Sequence, residues 1–147
     1  MTAKVFVDTN VLVYSRDSTE VEKQRQAMEW LASLWRGRNG RLSFQVLQEY
    51  YVTVTEKLEP GLDAAAARAD VRSLLAWGPL PVDARTVETA WAIQDRYSLS
   101  WWDALIVSAA QVADCRLLLS EDLQDGQEFG GLRVVNPFRT SPSSLTA

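Results

Sequence analysis

The first chemically suggestive residue of this sequence is Asp8, which ends an apolar segment at residues 4–7 and precedes Thr9 and Asn10. Such a segment predicts a buried strand with a carboxylate at its C-terminal tip. In open α/β sheets, ligands bind outside the carboxyl ends of the strands, so this position favours a functional acid. Asp, Thr and Asn also cap helices well, and the sequence alone leaves both interpretations of Asp8 open.

Three further acids, Glu49, Asp103 and Asp122, stand where they could join Asp8. Each also has a structural interpretation. Glu49 fits a solvated helix face, Asp103 fits a capping box with Ser100, and Asp122 fits a turn after a strand. Asp103, however, lies between two tryptophans and an apolar helix, where a charge without a partner is costly. Close carboxylates repel unless a cation neutralises them, so the acids together indicate a metal-dependent site for phosphodiester chemistry.

The composition limits the chemistry further. The sequence has no histidine, which excludes Ser-His-Asp triads and histidine-ligated zinc. Carboxylates, carbonyls and water suit hard ions such as Mg²⁺ and Mn²⁺. Acid–base or metal chemistry would therefore depend mainly on Asp and Glu.

Length and composition predict one globular domain. The chain has 147 residues, of which 47% are hydrophobic and 23% charged, enough to bury a core. No apolar run approaches the roughly 20 residues that span a bilayer, and the N-terminal apolar run is too short for a signal peptide. The single cysteine, Cys115, excludes an internal disulfide and fits a reducing compartment. We therefore expect a cytoplasmic protein without membrane contact.

The charge pattern is ambiguous about partners. The net charge of −4 is not typical of a nucleic-acid-binding protein, although 12 of the 15 basic residues are arginines, which suit phosphate recognition. Genomic base composition explains the arginine bias equally well. An acidic protein also fits a basic partner.

Apolar periodicity and turn residues predict alternating strands and helices. We predict extended segments at residues 4–7, 41–43, 80–82, 116–119 and 132–135, and helices at 9–16, 19–35, 43–58, 63–77, 84–97 and 101–113. Expected helix caps are Ser18 or Thr19, Ser43 and Asp63, and residues 120–131 are expected to form a polar turn region. Cys115 is expected in the core, and so are Trp101 and Trp102, for which stacking on bases is the alternative. The alternation predicts an α/β fold with a parallel sheet covered on both faces. One domain over residues 1–138 is followed by a loose tail at 139–147.

These motifs resemble the PIN-domain ribonucleases and, more narrowly, the toxins of VapBC-type toxin–antitoxin pairs. The motifs in question are Val-Asp8-Thr9-Asn10, a helical Glu49, Trp-Asp103-Ala104 and Ser120-x-Asp122. The resemblance spans residues 4–137. Each motif is short, and their order, spacing and placement at strand ends together make the resemblance specific.

The resemblance implies a three-layer α/β/α fold with a central parallel sheet of about five strands. It implies that four residues are catalytic and bind the metal, namely Asp8, Glu49, Asp103 and Asp122, with accessory positions at Asn10 and Ser120. Asp125 lies near the same site, but the family pattern fixes no role for it. Members of this family cleave RNA with Mg²⁺ or Mn²⁺, form homodimers and bind a small antitoxin protein, and we expect the same here.

Three other functions are compatible with parts of this pattern. One is an RNA-processing nuclease of the same fold without an antitoxin. Another is a non-catalytic RNA-binding module, against which the retention of all four acids argues. An aspartate-nucleophile phosphatase would also place Asp8 after the first strand, but its usual second aspartate, two residues on, is Asn10 here.

Overall fold

A computed structural model describes residues 3–145 of the protein. Its helices are α1 (Thr9–Tyr14), α2 (Val21–Gly37), α3 (Phe44–Val52), α4 (Ala64–Leu74), α5 (Ala84–Tyr97) and α6 (Trp101–Val112). Its strands are β1 (Val5–Val7), β2 (Gly40–Arg41), β3 (Leu117–Leu119), β4 (Glu128–Phe129) and β5 (Leu132–Val135). A π-helical turn, Thr53–Lys57, follows α3, and 3-10 turns lie at Leu75–Trp77 and Pro142–Leu145.

The strands form one sheet in the order β2-β1-β3-β5-β4. The first four in this order are parallel, with Val5 beside Gly40 and Leu117, and Leu117 beside Arg133. Parallel neighbours bring their carboxyl ends to the same edge of the sheet. The sequence-based prediction of a three-layer α/β/α fold with about five central strands is therefore confirmed.

The sheet differs from the prediction at β4, which is antiparallel to β5 and lies where we expected only a turn region. Glu128 and Phe129 pair with Leu132 and Arg133 across a tight turn at Gly130, whose φ of 64° suits glycine. Two residues are too few to display the alternation that marks a strand. The extended segment predicted at residues 80–82 is likewise reduced to a single bridge between Leu80 and Ser43.

The core lies between the sheet and the helices. Phe6, Val7, Leu118, Leu119 and Val134 have no exposed surface, as expected for strands buried on both faces. Every residue of α6 from 104 to 110 is also buried, as expected for the most apolar of the predicted helices. Cys115 is buried as predicted.

Local capping sets most of the helix starts. Ser43 accepts a hydrogen bond from the Val46 N–H (3.4 Å) and Asp63 from the Ala66 N–H (2.8 Å), as predicted. The prediction for α2 is wrong. That helix begins after Glu20 without a side-chain cap, and the Thr19 hydroxyl instead donates to the Asp17 carboxylate at 2.6 Å.

Side chains of α2 donate hydrogen bonds to backbone carbonyls within residues 137–140, and the loose tail expected at residues 139–147 stays a prediction. The buried Trp30 Nε1 donates to the carbonyls of Pro137 (3.1 Å) and Thr140 (2.9 Å). Gln26 Nε2 donates to the Phe138 carbonyl at 3.3 Å. The remainder of the predicted tail, 146–147, lies outside the described residues. Within residues 3–145, no helix has the length and apolar character needed to cross a membrane.

Trp30→Phe should loosen this segment, because it removes the N–H that two carbonyls share. We expect a loss of about 1 kcal/mol in the free energy of unfolding, measured in urea. We also expect faster tryptic cleavage after the exposed Arg139. Trp35→Phe is the matched control on the same helix, since no hydrogen bond of the Trp35 ring is found among residues 3–145. Equal unfolding and cleavage of the two variants would contradict the anchoring role of Trp30.

Candidate active site

Asp8 lies at the carboxyl end of β1 and is also the N-cap of α1. Its Oδ1 accepts a hydrogen bond from the Thr9 N–H at 2.7 Å. Its Oδ2 accepts one from the Ser120 hydroxyl, which follows β3, at 2.8 Å. Only 6% of Asp8 is exposed. The structural and functional interpretations of this residue are therefore compatible, because one oxygen caps the helix while the other faces the neighbouring strand end.

Burial is the main reason that the pKa of Asp8 is raised from 3.8 to about 7. The hydrogen bonds from Ser120 and Thr9 oppose this increase, whereas the negative charges of Asp122 and Glu49 add to it. The structure thus brings two other predicted acids close enough to Asp8 to disfavour its ionised form. Such a site attracts a cation.

Ser120 and Asn10 connect the loops that follow β1 and β3. Ser120 Oγ accepts a hydrogen bond from the Asp122 backbone N–H (3.1 Å) while donating to Asp8. Asn10 Nδ2 donates to Asp122 Oδ2 at 3.2 Å, and its Oδ1 accepts the Glu121 N–H at 3.2 Å. Two of the three predicted accessory residues, Asn10 and Ser120, therefore hold acids in place.

Glu49 approaches from α3, where it is exposed. Gln45, one helical turn earlier, donates from Nε2 to Glu49 Oε1 at 2.8 Å. A cavity of about 430 Å³, here called the α3–α6 cavity, opens beside them. It is lined by Gln45, Gln48, Glu49, Val82, Trp102 and Leu105. The first turn of α6 and Glu49 therefore border the same space.

Asp103 lies in the first turn of α6 and is partly buried. The predicted cap is present, but it uses the backbone: the Asp103 N–H donates to Ser100 Oγ at 3.2 Å. Within the described part of the chain, the Asp103 carboxylate has no hydrogen-bond or ion-pair partner. Nor does any contact found there join it to Asp8. Its carboxylate is thus not needed for the cap.

Asp125 is exposed and accepts the Asn136 backbone N–H at 2.9 Å. That bond joins the loop after β3 to the end of β5. Among residues 3–145, no hydrogen bond or ion pair links Asp125 to Asp8 or Asp122. The observed contact is a structural one.

The two tryptophans of the Trp-Trp-Asp motif have different environments. Trp101 is partly buried, and its ring lies 6.4 Å from that of Trp91, centroid to centroid. Trp102 is 63% exposed, so the prediction that it belongs to the core is wrong. Residues 104–110 are buried over about two full turns and hence on every face of α6. The exposure of Trp102 therefore follows from its place in the first turn of α6 and not from the face on which it lies.

Sequence reasoning missed two polar neighbours of the site. Lys23 on α2 forms an ion pair with Glu121, and its Nζ lies 4.8 Å from the centre of the Tyr14 ring. Lys23 and Glu121 are 98 residues apart, and neither stands in a motif that would pair them. Gln45 precedes Glu49 by four residues, which was the one available signal for their contact.

The donor set fits a hard divalent cation in chemical type. All four predicted ligands are carboxylates, and the negative charges of Asp122 and Glu49 add to the effect of burial in disfavouring the ionised form of Asp8. Within residues 3–145, however, no group of three or more acidic, histidine or cysteine side chains lies close enough together to hold a metal ion. Side-chain movement would have to bring the carboxylates closer.

Comparison with known proteins identifies the family. The model of the PIN domain family matches residues 5–124, which is most of the chain, so this protein belongs to the PIN domain family. A search of curated protein sequences gave no significant match.

Two solved structures share the fold. A chain of a toxin–antitoxin complex from Klebsiella pneumoniae is similar, with a TM-score of 0.68 and 19% identity over 91% of this chain and 98% of the other. The Mycobacterium tuberculosis toxin VapC20, which cleaves the sarcin-ricin loop, has a TM-score of 0.57 and 22% identity over 81% of this chain and 92% of its own. At these identities the likeness establishes the architecture.

The raised pKa of Asp8 predicts a pH-dependent stability. Between 3.8, its ordinary pKa, and about 7, its folded pKa, the folded protein holds a proton that the unfolded chain has lost. This contribution to the free energy of unfolding therefore falls as the pH rises through that window and is lost above it. Asp8→Asn cannot ionise, so its stability relative to the parent should increase across the window. Urea unfolding in EDTA at a series of pH values measures this difference.

Asp114→Asn is the matched control for that experiment. Asp114 is exposed and has a φ of 57°, a conformation that Asn also accepts. The difference in stability between Asp114→Asn and the parent should change little with pH over the same window. A pH-independent difference between Asp8→Asn and the parent would show that Asp8 is ionised in the folded protein throughout the window.

The backbone cap of α6 predicts that mutations of Ser100 and Asp103 affect the stability of the protein differently. Ser100→Ala should cost about 1 kcal/mol of unfolding free energy, because it removes the cap acceptor. Asp103→Asn retains the backbone N–H and should unfold close to the parent. Thermal melts in EDTA compare the two. A strong destabilisation by Asp103→Asn would mean that its carboxylate is structural.

Proposed function

We propose that this protein is a metal-dependent endoribonuclease and the toxin component of a type II toxin–antitoxin pair. The observation that carries the proposal is the buried carboxylate of Asp8 at the end of β1, hydrogen-bonded to Ser120 and close to the charges of Asp122 and Glu49. This acidic site stands at the carboxyl edge of a PIN-domain sheet. The toxin–antitoxin and RNA-cleaving proteins that share the fold support the same assignment.

Four carboxylates would hold the metal: Asp8, Glu49, Asp103 and Asp122. Mg²⁺ or Mn²⁺ would supply an activated water and stabilise negative charge on the scissile phosphate. No histidine is needed for this chemistry, in agreement with its absence from the sequence.

The other residues of the site position these acids. Ser120 directs one oxygen of Asp8, Asn10 directs Asp122, and Gln45 directs Glu49. Because burial raises the pKa of Asp8 to about 7, a proton competes with any cation for this carboxylate near neutral pH. Activity should therefore increase with pH through this range as the proton is lost.

The proposed partners follow from charge and from the fold relatives. An acidic edge on a protein of net charge −4 suits a basic segment of a small antitoxin protein. RNA would approach the same edge with a divalent cation between phosphate and carboxylates. A homodimer and a cytoplasmic location complete the proposal by family resemblance.

The direct test is cleavage of a mixed RNA pool in Mg²⁺, in Mn²⁺ and in EDTA. We expect cleavage only with metal, leaving 5′-phosphate and 3′-hydroxyl ends because water is the nucleophile. Asp8→Asn should reduce the rate by at least about 100-fold, in keeping with the loss of several kcal/mol of transition-state stabilisation. The protein should first be unfolded and refolded to remove any bound antitoxin.

Asp114→Asn serves again as the control, since it removes a carboxylate that does not lie at the acidic edge. This variant should cleave at the parental rate. Cleavage by Asp8→Asn at that rate would refute the site assignment. Ends with 2′,3′-cyclic phosphate would refute the water nucleophile. Folded parent protein that binds RNA and cleaves none in either metal would favour a non-catalytic RNA-binding module.

A further inference from the structure

The α3–α6 cavity has an exposed aromatic wall. The Trp102 indole is 63% exposed and shares the cavity with the apolar side chains of Val82 and Leu105. Trp102 differs from the other exposed tryptophans, Trp35 and Trp91, because it lines a cavity beside the candidate active site and offers a flat apolar face to a ligand there. Bases of single-stranded nucleic acids stack on such faces, whatever their sequence.

Gln45, which also lines this cavity, carries a buried acceptor for which no donor is found among residues 3–145. Gln45 is 8% exposed, and among residues 3–145 its Oε1 has no hydrogen-bond partner. Its Nε2 donates to the Glu49 carboxylate at 2.8 Å. A carboxylate can only accept from an amide, so this bond fixes which end of the Gln45 amide is the nitrogen. The orphan atom is therefore an oxygen that requires an N–H or O–H donor.

These two features together define a ligand class. A flat aromatic ring would stack on Trp102, and an N–H at its edge would satisfy Gln45 Oε1. Since Oε1 is buried, the Gln45 amide must move before that donor can reach it. A nucleobase has both properties, and the cavity of about 430 Å³ is large enough for one.

We infer that the α3–α6 cavity binds one unpaired nucleobase of the RNA, stacked on Trp102 and hydrogen-bonded to Gln45. The inference rests on the proposed function, because it places that base next to Glu49 and hence beside the phosphate to be cut. Gln45 then contacts both the base and a carboxylate of the site. Base identity and catalytic geometry are thereby coupled through one side chain.

The test measures RNA binding in EDTA, where no cleavage is expected. Short oligomers of A, C or U, and an abasic ribose-phosphate oligomer of equal length, are titrated with protein and followed by fluorescence anisotropy. Trp102→Ala should weaken binding of the base-bearing oligomers about tenfold, while Trp102→Phe should retain most of the affinity. Binding of the abasic oligomer should not change.

Trp91→Ala is the matched control, because Trp91 is also largely exposed, at 53%, and does not line the cavity. It should bind every oligomer as the parent does. If Trp102→Ala bound the base-bearing oligomers as tightly as the parent, or weakened the abasic one equally, the nucleobase site would be refuted.

Gln45→Met tests the hydrogen bond separately. It preserves the length of the side chain and removes the acceptor, so the differences in affinity among the A, C and U oligomers should shrink while the effect of Trp102→Ala persists. If Gln45 only positions Glu49, the ranking of the oligomers will stay as in the parent, which would refute its contact with the base.

The outcomes also separate this inference from the proposed catalysis. Base-dependent binding that requires Trp102, with no cleavage in Mg²⁺ or Mn²⁺, would support the cavity and refute the nuclease. Metal-dependent cleavage with binding unaffected by Trp102→Ala would support the nuclease and refute the cavity.

Discussion

The hydrogen bond from Ser120 to Asp8 is the interaction on which the rest of the site depends. It joins the carboxyl ends of β1 and β3, which are neighbours in the sheet although the two residues are 112 positions apart. A carboxylate as buried as that of Asp8 is unfavourable unless it is hydrogen-bonded, and Ser120 supplies one of its two bonds. The same hydroxyl accepts the Asp122 N–H, so one small side chain fixes the positions of two acids.

Much of the fold could be predicted because its determinants are local. Helix caps such as Ser43 and Asp63 bond to a residue three positions on, and α6 is marked by its apolar run. The strand-end position of Asp8 also follows from sequence, since an apolar run before an acid is visible without a structure. What could not be predicted was β4, which is held by its pairing with β5 rather than by a pattern of its own.

Contacts between the site residues could be predicted only where the order of the strands in the sheet decides which residues lie close together. Asp8 and Ser120 meet because parallel strands share an edge, which the alternation of elements already implied. The pairing of Lys23 with Glu121 depends on how α2 lies against the loop after β3, and no spacing in the chain encodes it. The exposure of Trp102 depends on how far the neighbouring elements cover the first turn of α6, which the apolar pattern of the helix does not specify.

The distribution of charge across the sheet limits how RNA can be recognised. Lys4 and Arg116 precede β1 and β3, and Arg133 lies beside the first residue of β3. These three basic residues therefore lie at the edge of the sheet opposite Asp8. No basic residue lines the α3–α6 cavity within the described chain, and Lys23, on the acidic side, is already paired. A phosphate that approaches Asp8 therefore meets carboxylates, and a cation must stand between them. Because no basic residue lines the α3–α6 cavity, contact with the nucleobase becomes a source of affinity there, and a basic protein segment would compete for the same negative charge.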